Sequence, residues 1–131
     1  MTALRGVTKM AVFVFPEPCW PCHERDLDMA ALLRGTELTE LTEPQAHSVI
    51  GMLIDPGSYI GTLAKPCPFV ADSGLRIGAK DATAFLLFSS ACQTARLVRS
   101  GNETPVIVNI DPVAARLLPK LKEFTRRKLS A

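Results

Sequence analysis

The chain has 131 residues, of which 47% are hydrophobic and 21% charged, and carries a net charge of +2 at neutral pH. A chain of this size buries roughly two thirds of its unfolded surface, so one domain spanning 1–131 can fold without metal or disulfide support. No stretch approaches the ~18 apolar residues that cross a bilayer as a helix.

The charge is unevenly spread. Residues 1–55 hold Arg5, Lys9, Arg25 and Arg34 against Glu17, Glu24, Asp26, Asp28, Glu37, Glu40, Glu43 and Asp55, and the excess of cations lies in the remainder. In a domain this small the two halves pack together and partly neutralise each other. Arg5 and Lys9 precede an apolar run, yet Met10 to Phe15 is too short for the core of a signal peptide and is closed by Pro16, Glu17 and Pro18. As written the chain is expected to be cytoplasmic, or exported if an upstream signal has been removed.

Met10 to Phe15 reads as a short strand of β-branched and aromatic residues, stopped by prolines that cannot donate to a ladder. A two- to three-turn helix follows, with Leu27, Ala30, Ala31 and Leu33 at helical spacing, Asp26 or Asp28 as its cap and Gly35 at its end. These elements and the Cys19-Trp20-Pro21-Cys22-His23 segment make up an N-terminal part, 1–35, of the single domain.

Residues 36–131 continue with a helix, an antiparallel meander and a closing helix. Thr42-Glu43-Pro44-Gln45 has the pattern of a capping box with proline in the first turn, which predicts a helix from Glu43. Ala46, Val49, Ile50 and Leu53 form its buried stripe, and Asp55-Pro56-Gly57-Ser58 ends it. From Phe69 the period becomes extended. Turn signals at Gly78–Asp81, near Ala91–Gln93 and at Ser100–Glu103 cut four strands: Phe69–Ile77, Thr83–Ser90, Thr94–Arg99 and Pro105–Ile110.

Short connections require antiparallel neighbours, because a parallel return needs a crossover of about a dozen residues. Ala84 to Phe88 is apolar throughout and is expected to be central, covered on both faces. Asp111-Pro112 opens the last helix with a capping carboxylate, and Val113, Ala114, Leu117, Leu118, Leu121 and Phe124 supply its apolar face. Pro119 is expected to kink or split it. The fold class is therefore α+β: an antiparallel sheet of four strands, or five if Val12–Phe15 joins, packed against helices.

Leu41-Thr42-Glu43-Pro44-Gln45, Leu53 to Tyr59, Cys67-Pro68-Phe69 and Phe85 to Cys92 carry a resemblance, over about residues 39–124, to a group of small uncharacterised bacterial proteins, many of them exported or lipid-anchored. The resemblance implies a helix, an antiparallel meander and a closing helix, and it supplies no activity. Where that group commonly ends a strand in two cysteines, this chain has Ser89-Ser90-Ala91-Cys92 and keeps one thiol.

Cys19-Trp20-Pro21-Cys22-His23 is the densest chemistry in the chain and fits three roles. As a dithiol redox pair, Cys19 would attack and Cys22 resolve if a helix N-terminus stabilised the thiolate. Thr104-Pro105-Val106 even resembles the proline-bearing strand that faces the dithiol in thioredoxin-like folds. A predicted meander, however, does not build that mixed sheet. As a zinc site, Cys19, Cys22 and His23 would need His47, Cys67 or Cys92, none of which forms a second close pair. As a haem anchor, the same three residues would need Met29, Met52 or His47 as second axial ligand, together with export.

Cys67 and Cys92 flank the predicted strands and are expected as free buried thiols, although a bridge between them is conceivable. The cationic end of the last helix, Lys120 to Lys128, reads as a solvated face, which argues against nucleic acid. No complete catalytic constellation appears and no cofactor is implied. Phe13, Phe15 and Trp20, spread around two prolines, are expected to form an exposed apolar edge that takes a protein partner or a second copy. The expected function is thus a non-catalytic binding or interaction domain, with a thiol-disulfide oxidoreductase using Cys19 and Cys22 as the alternative.

Overall fold

The structure, a computed structural model, describes residues 7–23, 27–55, 68–79, 82–98 and 107–130. Among these, the chain forms strand β1 (Val7–Cys19), a 3₁₀ turn (Trp20–His23), helix α1 (Met29–Leu32), strand β2 (Thr39–Glu40), helix α2 (Glu43–Ile54), strands β3 (Ala71–Ala79), β4 (Ala82–Ser89), β5 (Thr94–Val98) and β6 (Ile107–Asn109), and helix α3 (Asp111–Ser130). The strands make one wholly antiparallel sheet in the order β2-β1-β3-β4-β5-β6. The class is α+β as expected, with six strands rather than four or five.

The two additional strands have a common origin at the N-terminal side. β1 runs past Pro16 and Pro18 to Cys19, where the sequence predicts a stop at the prolines. Its pairing with β3 is regular from Lys9 to Val14, lapses, and resumes with Cys19 opposite Ala71. The prolines sit inside that lapse, where no ladder bond is asked of them, which is how a strand accommodates proline. β2 is only two residues long, paired through Ala11↔Glu40 and Val12↔Thr39, and extended by the Leu41 amide donating to the Met10 carbonyl at 2.9 Å.

Both faces of the sheet are covered. On one, Met10, Val12, Leu75, Ile77, Leu86 and Phe88 pack with Val49 and Leu53 of α2 and with the apolar face of α3. On the other, Phe13, Phe15 and Leu87 pack with Cys19, Cys22, Met29 and Phe69. β4 thus sends alternate residues into two apolar clusters, as an uninterrupted apolar strand requires.

Local signals hold where they depend on neighbouring residues. Asp28 caps α1, its Oδ1 accepting from the Ala31 amide at 3.2 Å, and Gly35 takes φ +80° just beyond it. α1 itself is a single turn, shorter than the two to three expected. α2 begins at Glu43 with a complete capping box: Thr42 Oγ1 accepts from the Gln45 amide, and Gln45 Oε1 accepts from the Thr42 amide.

Two expectations about the last helix are corrected. Asp111 is its first helical residue rather than its cap, since the Ile110 carbonyl already accepts from the Val113 and Ala114 amides. Of the kink or split expected at Pro119, the split does not occur, since α3 runs through it. Pro119 and Ala115 are both exposed, so the carbonyl that loses its helical donor lies on the wet side, where solvent replaces the bond. The expected turns at Pro56–Ser58 and Ser100–Glu103, and the Lys80–Asp81 half of the one at Gly78–Asp81, lie outside the described residues.

Candidate functional site

The site is built where β1 ends. Cys19, the last residue of β1, is bonded to Cys22 across the 3₁₀ turn, with an S–S distance of 2.04 Å. The two cysteines face inward, with relative exposures of 6% and 0%, among Phe13, Phe15, Met29 and Phe69. Between them Trp20 points outward and is 64% exposed. Pro16, Glu17, Pro18 and Pro21 are exposed beside it, and Val14 is partly so.

Two long-range contacts hold the turn. Cys19 pairs with Ala71 of β3, and the Arg96 guanidinium of β5 donates from Nη1 to the Cys22 carbonyl at 2.5 Å. Arg96 stands opposite Leu87 in the β4–β5 ladder, hence on the face of the second apolar cluster, and is buried. Burial pulls its pKa below the usual arginine value, yet a guanidinium stays charged at any physiological pH. This buried cation was missed by sequence reasoning. Its signal was an arginine set among Ala95, Leu97 and Val98 in a predicted strand.

Of the three aromatics expected on an exposed edge, the structure keeps only Trp20 at the surface. Phe13 and Phe15 are buried, at 0% and 8% exposure, with their rings edge to face at 5.3 Å between centroids. The reason is the sheet's second apolar face, which a one-sided reading of the N-terminal strand leaves out.

The metal and haem readings need thiolate or thioether sulfurs, and here the sulfurs of Cys19 and Cys22 are joined to each other. His23 ends the 3₁₀ turn, its side chain outside the described set. His47 is exposed on α2, beside Lys9, Glu40 and Glu43 in a groove of about 280 Å³. Met29 is buried in the second cluster, and Met52 packs against the first. Among the described residues no three His, Cys, Asp or Glu side chains converge as a metal site.

Cys92 overturns the expectation of a free thiol: it is buried and disulfide-bonded, its Sγ 3.4 Å from the Pro68 carbonyl oxygen. Cys67 lies outside the described residues.

The dithiol reading also called for a proline-bearing strand facing Cys19. Pro105 lies outside the described residues, but the strand that follows it, β6, is separated from β1 by β3, β4 and β5. At ~4.8 Å per strand this places the two roughly 19 Å apart. Furthermore, a four-residue 3₁₀ turn follows Cys19, not a long helix whose dipole would favour a thiolate.

Comparison with known protein families, characterised proteins and solved structures found no match to this chain.

Proposed function

We propose that this protein is a non-catalytic interaction domain that presents Trp20 to a protein partner or a second copy of itself. The observation that carries this reading is the contrast within four residues: Trp20 is 64% exposed, while Cys19 and Cys22 on either side are 6% and 0%. The large side chain is held out by a turn whose ends are bonded to each other and to the sheet. Tryptophan is enriched among residues that dominate binding energy, and a fixed backbone lowers the entropy lost on docking. The neighbouring prolines are already restricted and add apolar surface at little further entropic cost.

Burial of both sulfurs weighs against turnover as a thiol-disulfide oxidoreductase, because a catalytic cysteine must reach the disulfide of its substrate. The pairing of Cys19 with Cys22 and the bonded state of Cys92 favour an oxidising compartment as the site of action. No helix among the described residues is long and apolar enough to cross a membrane.

A photo-crosslinker placed at Glu17, beside the patch, tests the proposal. Cross-links to a partner or to a second copy should form and should vanish in Trp20→Ala protein of unchanged circular dichroism. Equal cross-linking with and without the indole would overturn it. Reduction of a model protein disulfide at a catalytic rate would favour the oxidoreductase instead.

A further inference from the structure

We propose that the groove between α2 and α3 is a binding site for a small acidic amino acid, a ligand with two carboxylates and one ammonium. The two helices pack on one face of the sheet, and Cys19 and Cys22 lie on the other, so the site is independent of the reading of Trp20. The groove opens about 600 Å³, the size of a small-molecule site, and is lined by Ser48, Gly51, Met52 and Asp55 of α2 and by Arg116 and Lys120 of α3. The α2 positions recur at helical spacing and share one stripe, and the two cations stand one turn apart on α3. Lys120 Nζ donates to Ser48 Oγ at 2.8 Å, which joins the helices at one end of the groove. From there the lining runs two turns along α2 to Asp55 and one turn back along α3 to Arg116.

Gly51 is the centre of the floor. A glycine inside a helix weakens it relative to alanine, yet neither backbone nor packing asks for one here: its geometry is ordinary helix, and a Cβ built on it would meet nothing within 4 Å. What the missing side chain keeps open is the groove. Around that space stand two cations and one carboxylate, the complement of two carboxylates and one ammonium. At the Ser48 end, the Lys120 ammonium has N–H groups beyond the one bonded to Ser48, and the Ser48 hydroxyl, which accepts from Lys120, can donate its own proton. These hold the side-chain carboxylate. At the other end the Arg116 fork holds the α-carboxylate, while Asp55, the C-cap of α2, and the negative end of that helix attract the ammonium. Arg116 and Asp55 are both exposed, so a ligand reaches them from solvent. A bare anion would meet Asp55 without a compensating positive charge, which disfavours inorganic phosphate.

Amide NMR of the full chain, titrated with L-glutamate, L-aspartate, L-glutamine, glutarate and inorganic phosphate, tests the assignment. L-Glutamate or L-aspartate should give saturable shifts at the Ser48, Gly51 and Lys120 amides at millimolar concentration. L-Glutamine lacks the second carboxylate and glutarate lacks the ammonium, so each loses a charge-assisted contact and should bind about tenfold more weakly. Gly51→Leu fills the groove with no clash at its Cβ, and should abolish the shifts at Ser48 and Lys120 while leaving the urea midpoint unchanged or raised. Should that variant unfold, Arg116→Gln decides: at an exposed position, it should weaken binding about tenfold with circular dichroism unchanged. No saturable shift with either amino acid, or unaltered binding by a folded Gly51→Leu or Arg116→Gln protein, would overturn the site. Phosphate or glutarate binding as tightly as L-glutamate would overturn the amino-acid assignment.

Discussion

The Arg96 guanidinium reaches across the sheet to the Cys22 carbonyl, joining residues 74 apart in sequence through a buried, charge-assisted hydrogen bond. It fastens a surface turn to a strand four places from β2 in the sheet order. A bond of this class contributes about 1.5–3 kcal/mol, and removing one partner leaves the other desolvated. Arg96→Ala is accordingly expected to lower the urea midpoint by an amount equivalent to about 2–3 kcal/mol. Arg96→Lys should recover only part of this, because an ammonium on a flexible stem does not reproduce the planar donor geometry. Equilibrium unfolding followed by circular dichroism reads both, and a loss below about 0.5 kcal/mol for Arg96→Ala would refute the assignment.

A second relationship sets a limit on β3. Gly74 lies opposite Phe13, and a Cβ at Gly74 would stand 2.5 Å and 2.8 Å from atoms of the Phe13 ring and 2.9 Å from the Leu86 carbonyl oxygen. The ring occupies the space a side chain would need. Because the carbonyl is backbone and cannot swing aside, Gly74→Ala should destabilise by about 1–3 kcal/mol through overpacking. Adding Phe13→Leu should return part of the loss by clearing the ring contact but not the carbonyl one. Thermal unfolding of the two single variants and the double variant measures the coupling, and strictly additive effects would show that the ring is not the obstacle.

What could be read from the sequence divides along the range of the interactions. The α2 capping box and the Asp28 cap lie within three residues of what they bond, so residue identity and spacing suffice. The passage of β1 through Pro16 and Pro18 depends on where the pairing with β3 lapses, and the two residues of β2 carry no periodic signal. The fates of Phe13, Phe15 and Arg96 depend on a second apolar face assembled from β1, β4 and the segments around Cys22, Met29 and Phe69. Met10 to Phe15 did contain a hint, since an apolar run without alternation suits a strand covered on both sides. Of the candidate site, the cysteine pair was visible as a motif. The exposure of Trp20 was expected as well, but the burial of the two cysteines on either side of it was not.

The capping box gives a local stability test. Thr42→Ala removes the acceptor for the Gln45 amide and should cost about 1 kcal/mol, within the range for N-cap substitutions. Thr42→Ser, which keeps the hydroxyl, should cost much less. Both are measured as shifts in the denaturant midpoint at constant slope.

The bonded states of the cysteines predict a labelling pattern. Protein purified without reductant and treated with iodoacetamide under denaturing conditions should show no label at Cys19, Cys22 or Cys92, and all three should be labelled after reduction. Label on Cys92 before reduction would return it to the free buried thiol expected from the sequence. Label on Cys19 and Cys22 would show that the turn is not closed by a bond between them.

The aromatic residues of the N-terminal strand and turn should separate into two classes when truncated. Phe13 is fully buried against Gly74 and packs edge to face on Phe15, so Phe13→Ala opens a cavity in the second cluster and should cost about 3–5 kcal/mol. Trp20 is larger, but most of its surface is already in water, and Trp20→Ala should change stability by only about 0.5 kcal/mol or less. Paired urea titrations of the two variants distinguish a core aromatic from a presented one. A loss at Trp20 comparable to that at Phe13 would mean that the indole supports the fold, leaving no exposed aromatic in the Phe13-to-Trp20 segment to act as a binding anchor.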